Sequence, residues 1–256
     1  MTATQEIPPT PPPAVSAATA AKPEKFYGFS VLITGIARFF RAFVPLILVI
    51  VVNALVQALL TIPDYTVGFS AGFIATVIVS FVVLVWSFGL LNAAALNAAT
   101  PGRVSIGSTF ATLGAHFWLF VLWAVIEYLL VMAGLIVYTY GAFVVLLVTP
   151  FVTVAAMDGQ KVAIVANFRA IGGRPIRWIF TTLILGIILV VSYLLTAVNG
   201  FFINGFLGSI ITWVYWGILA SWVLASYAAL YRSTAVGAPV ERAPEPEFEP
   251  LLPPLK

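Results

Sequence analysis

Glu127, in AVIEYLLV (124–131), is the one acidic side chain set deep inside a long apolar stretch of this chain. It sits about ten residues from either end of that stretch, and no Lys or Arg shares its depth. A carboxyl withdrawn from water is expected to hold its proton and to seek a hydrogen-bond partner. Three side chains in other apolar stretches are candidates: Asn53 and Gln57, one helical turn apart, and Thr149, which precedes Pro150. Glu127, Asn53, Gln57, Thr149 and Pro150 form the candidate intramembrane polar site. It is a structural hydrogen bond, a polar cavity serving a proton-coupled step, or a neutral carboxyl facing lipid.

Other patterns with chemical potential are weaker. GFSAG (68–72) matches the G-x-S-x-G elbow of serine hydrolases, but that chemistry needs a strand-turn-helix and a histidine base within reach. The only histidine, His116, lies far along the chain at the opposite boundary, so a turn or close helix packing explains the motif better. His116 has no second ligand at useful spacing, so no metal site is expected. GGRP (172–175) lacks the strand that precedes phosphate-binding loops and reads as a turn ending a helix. Without cysteine there is no thiolate chemistry. No catalytic residue, cofactor or metal is assigned.

The elements that position these residues follow from composition. The 256-residue chain is 62% hydrophobic and 8% charged, with a mean hydropathy of +1.09. Soluble domains carry about 25% charged residues, so this is an all-α integral membrane protein. Residues 1–25 and 233–256 are Pro-rich tails, expected to be disordered because they cannot bury enough apolar area to offset ordering entropy. The second is acidic, with Glu241, Glu245, Glu247 and Glu249, and its FEPLLPPL is a candidate docking motif for a protein partner. The first lacks the apolar run of an export signal.

Residues 26–232 read as a six-helix transmembrane bundle, with spans near 42–62, 73–95, 117–137, 142–157, 178–199 and 207–230. Pro150 predicts a kink or break in the short fourth span. The carbonyl it frees must find another partner in lipid. With six spans, all twelve Lys and Arg fall on one side, which predicts a plasma-membrane protein with both termini cytoplasmic. Trp118, Trp178 and Tyr231 are expected at the inner boundary, and Tyr65, Tyr138 and Tyr140 at the outer. Gly217, Ser221, Ala225 and Ala229 make a smooth stripe on the last span, and LNAAALNAA (91–99) a similar one on the second.

A threefold repeat underlies this topology. FSVLITGIARFFRAF (29–43), VSIGSTFATLGAHF (104–117) and VAIVANFRAIGGRPIRW (162–178) each precede a pair of spans. They predict three hairpins, each led by an interfacial helix; the alternative is that these segments are extensions of the spans themselves. Around the third, Lys161, Arg169, Arg174 and Arg177 are candidate contacts to lipid headgroups.

Residues 148–175, VTPFVTVAAMDGQKVAIVANFRAIGGRP, resemble the middle of the membrane domain of bacterial glycerophosphoryl diester phosphodiesterases and related stand-alone membrane proteins. In that family a Pro-bearing span ends at an acidic or Gly turn, and a helix of small and basic residues follows. The resemblance implies architecture over about 26–232. The chain lacks the family's soluble barrel and its catalytic acids and histidines, so no phosphodiesterase activity is implied. The functional expectation is a non-enzymatic scaffold or accessory subunit for transport or envelope processes. The alternative is a small transporter or lipid-handling protein using Glu127. Its partners are membrane lipids and a protein bound through the cytoplasmic tails, with no role for nucleic acid.

Overall fold

The computed structural model describes residues 28–62, 70–138, 141–200, 202–203 and 205–238. Every regular element among them is an α-helix: α1 (Gly28–Arg41), α2 (Phe43–Leu59), α3 (Ala71–Ala99), α4 (Ile106–Val137), α5 (Gly141–Val148), α6 (Val152–Met157), α7 (Ala163–Gly173), α8 (Pro175–Asn199) and α9 (Gly205–Arg232). Four of these, α3, α4, α8 and α9, are each long and apolar enough to cross a membrane. The pair α1 and α2 adds a fifth apolar length, but it is bent by 81° at its junction.

Prolines set the breaks. Pro45, in the first turn of α2, cannot donate a backbone hydrogen bond, and its ring would crowd the carbonyl of Arg41, where α1 ends. Pro175 opens α8 directly after α7 in the same way. Pro150 divides the expected fourth span into α5, of 8 residues, and α6, of 6. At 1.5 Å per residue, neither reaches across a hydrocarbon core of about 30 Å. The fourth stretch is therefore not one continuous helix.

The three segments expected to lie in the interface divide two to one. Residues 29–43 contain the separate helix α1, which the bend turns away from α2, and 162–178 contains the separate helix α7. The segment 104–117 is instead continuous with its span. Ser105 caps α4 by accepting from the Ser108 N–H, the Ser108 hydroxyl accepts from the Ser105 N–H, and the helix then runs 32 residues without a break. No proline interrupts it, so the threefold plan fails at its second module.

Packing centres on α9, which touches α1, α2, α3, α6 and α8. The small-residue stripes do what their size allows. Gly217 brings α9 against Ile50 of α2, Ser221 and Ala225 are wholly buried, and Asn92 to Ala95 are wholly buried on α3. Gly35 seats α1 on Ser226, where any larger side chain would overlap the serine. Trp118 (79% exposed) and Tyr138 are open, as a boundary aromatic should be, whereas Tyr231 is fully buried and belongs to the core. Tyr65 and Tyr140 lie outside the described residues.

Candidate functional site: a broken helix and an ion pair

At the centre of the molecule lies α6. From Phe151 to Met157 no residue is more than 5% exposed, so this short helix is enclosed by protein and does not face lipid. It packs on α3, α4, α7 and α9. A helix start buried this way needs partners for its free backbone groups. Asn167, on α7 and itself fully buried, supplies them. Its Oδ1 accepts from the Phe151 N–H at 2.9 Å, and its Nδ2 donates to the Val148 carbonyl at 2.8 Å. One amide thus bridges both sides of the Pro150 break. Asn167 was not singled out from sequence, since nothing in VANFRA marks an asparagine as the partner of a break sixteen residues away.

One residue before the proline, the Thr149 hydroxyl lies 3.0 Å from Glu127 Oε1 and 2.8 Å from the Val145 carbonyl. A hydroxyl carries a single hydrogen. When that hydrogen goes to Val145, as is common for a threonine four residues on, a proton on Glu127 completes the set. Glu127 is half-buried. Its pairing with Thr149 was among the sequence expectations; its pairing with Asn53 or Gln57 was not realised. Those two side chains face α3 instead. The Gln57 carbonyl oxygen accepts from the Ser80 hydroxyl at 2.8 Å, and Asn53 Oδ1 accepts from Ser87 at 3.4 Å. The candidate polar site is therefore two sites: Glu127, Thr149 and Pro150 between α4 and α5, and Asn53 and Gln57 between α2 and α3.

About three turns of α4, from Glu127 back to His116, tie this region to the basic end of the bundle. The Trp123 indole N–H donates to the Lys161 carbonyl at 3.1 Å, and His116 packs against Gly159. Gly159 takes φ +82° to reverse the chain after α6. Gly159 N–H donates to the Ala156 carbonyl and Gln160 N–H to Ala155, the double closure that a left-handed glycine permits. The same turn carries Asp158. Arg232, the last residue of α9, pairs with it at 2.7 Å, and the Tyr231 hydroxyl donates to its other oxygen at 3.2 Å. Burial pushes the Asp158 carboxyl above its ordinary value, against the lowering effect of the Arg232 guanidinium, the hydrogen bonds and His116.

Other basic residues serve helix ends, stand exposed or are half-buried. Arg38 and Arg41 of α1 donate to the Ala98 carbonyl, and Arg41 also to Gly102, closing the C-terminus of α3. Lys161 and Arg169 are exposed, and Arg174 and Arg177 are half-buried at the α7–α8 junction. The Ser70 hydroxyl of GFSAG accepts from the Phe73 N–H and caps α3; Gly68 lies outside the described residues. Among the described residues no cluster of three His, Asp or Glu is grouped to hold a metal.

Comparison with known proteins returns no match: no family model fits the chain, and neither a curated protein nor a solved structure is significantly similar to it. The fold defines the class, a helical membrane protein.

Proposed function

We propose that this is a multi-pass plasma-membrane protein with six membrane-crossing segments and both termini cytoplasmic, acting as a non-enzymatic scaffold or accessory subunit in transport or envelope processes. The observation that carries the reading is how the interior polar groups are used. Asn167, Gln57, Asn53, Thr149 and Trp123 each bond another part of the same bundle. Such a frame is braced rather than poised to take a solute. The basic residues gathered at one end support the cytoplasmic placement of that end, with α5 and α6 together forming the fourth crossing. The exposed Lys161 and Arg169, with Arg174 and Arg177, are then placed for anionic headgroups. The order of Pro150 break, Asp158–Gly159 turn and small, basic α7 keeps kinship with the phosphodiesterase membrane domain a proposal of architecture.

Topology is tested first. A reporter active only outside the membrane, fused after residue 66, 139 or 203, is expected to be active, and silent at the C-terminus. An active C-terminal fusion would overturn the orientation.

A second reading, a small transporter or lipid-handling protein, is favoured by one feature: a half-buried carboxyl against a broken helix. The two readings differ in what Glu127→Gln does. The amide keeps the shape and can still donate toward Thr149, so thermal stability in detergent should stay within about 0.5 kcal/mol, while Glu127→Ala should lose about 1–2 kcal/mol. For a scaffold, Glu127→Gln complements a deletion strain and removal of 239–256, which spares the packed Thr234 and Gly237, does not. The reverse pattern would make the proton functional and favour transport.

A further inference from the structure

We propose that the acidic segment 241–252 of the C-terminal tail folds back on α7 and covers its exposed face, competing there with anionic lipid headgroups. The proposal rests on the cytoplasmic placement of α7 and of the tail given above, and adds an occupant and a regulation to it.

Helix α7 turns Ala163, Ala166, Asn167 and Ala170 into the protein. Its opposite face exposes Val165 (42%) and Phe168 (51%), with Gly172 one turn on and the exposed cations Lys161 and Arg169 beside them. Among the other cations of this end, Arg38 and Arg41 are committed to the end of α3, and Arg232 to Asp158. The chain leaves the bundle at the right place. Beyond α9, Arg232 Nη1 donates to the Gly237 carbonyl at 2.8 Å, and Thr234 is buried beside Gly173 in the last turn of α7. The tail therefore starts at one end of the face it would cover.

Reach and composition fit. From Gly173 back to Lys161 is about 18 Å of helix, and the fourteen residues 239–252 can extend to about 46–50 Å. The segment carries Glu241, Glu245, Glu247 and Glu249 against its single cation Arg242, a net negative charge for Lys161 and Arg169, and Phe248, Leu251 and Leu252 for Val165 and Phe168. Exposed ion pairs are individually weak, but a short tether holds the segment at an effective concentration of about millimolar. The contact is thus strong enough to form and weak enough for a charged membrane surface to displace it.

The chain has no cysteine, so two introduced ones are unique labelling sites. Gly172→Cys points into open space on the α7 face, and Pro246→Cys lies between the glutamates. Full-length doubly spin-labelled protein is reconstituted in phosphatidylcholine vesicles, and the distance distribution is read by pulsed electron resonance. A dominant short distance is expected. It should be lost at high salt, lost when Glu241, Glu245, Glu247 and Glu249 are changed to Gln, and reduced several-fold when phosphatidylglycerol is added to the vesicles. A broad distribution indifferent to salt and to the Gln changes would overturn the docking. A short distance that phosphatidylglycerol leaves intact would overturn the competition. An impermeant thiol reagent separates the two failures: labels reached from opposite faces refute the topology itself, whereas same-side labels with a broad distribution refute the docking alone.

Discussion

Asn167→Ala is expected to lower the unfolding free energy by about 2–5 kcal/mol. The substitution removes both bonds across the Pro150 break and strands the Phe151 N–H and Val148 carbonyl. A buried polar group left unpaired costs about 1–3 kcal/mol. Thermal unfolding in detergent measures the loss. The mechanism is checked by a double-mutant cycle with Pro150→Ala. Without the proline, α5 and α6 gain the chance to join and satisfy each other's backbone, so Asn167→Ala should cost much less in that background. Equal costs in both backgrounds would refute the bridging role.

The ion pair at the end of α9 gives the second large effect. Arg232→Met should cost about 2–4 kcal/mol at neutral pH. That is below the ~3–5 kcal/mol of a wholly buried pair, because the two side chains are 15% and 16% exposed. The loss arises because Asp158 keeps its charge but not its cation, so Arg232→Met/Asp158→Leu should recover most of it. The pH dependence carries a definite sign. Asp158 is an acid whose folded value is raised, so its contribution is fully present below its unfolded value and declines as pH rises through the folded one. In Arg232→Met the opposing cation is gone, and acidification from about pH 7 toward about pH 4 should restore stability as a proton takes its place. A single variant whose stability loss is independent of pH, or a double variant as unstable as the single, would contradict this account.

What sequence could and could not reveal follows from the range of each signal. Pro150 marked the break because a missing N–H and a steric clash act within four residues. Glu127 and Thr149 were matched because a lone carboxyl in an apolar stretch has few possible partners. Asn53 and Gln57 bond across the bundle, but to Ser87 and Ser80 of α3 rather than to Glu127: their spacing shows that they share a face, but not which helix meets that face. The Asp158–Arg232 pair joins residues 74 positions apart, one at a turn and one at a helix end, where a charge ordinarily needs no special explanation. Tyr231 misled for a related reason, since an aromatic at the end of a span suits a membrane boundary as well as it suits a buried carboxylate. The continuity of α4 through 104–117 was legible as one of two alternatives, and the capping box at Ser105 together with the absence of proline decides it.

The Trp222 indole N–H donates to the Leu32 carbonyl at 3.2 Å across 190 residues of chain, and Gly35 is seated on Ser226 close by. The first helix of the bundle meets α3 early, through Arg38 and Arg41, but completes its packing only when the last helix has been made. At about 5–20 residues per second, a ribosome takes roughly 10–40 s to bridge that interval. For all of that time the faces of α1 and α2 that α9 will cover stand open within a nascent chain. A product truncated before α9 would keep them open permanently, which gives membrane quality control a ready mark by which to tell an unfinished copy from a finished one.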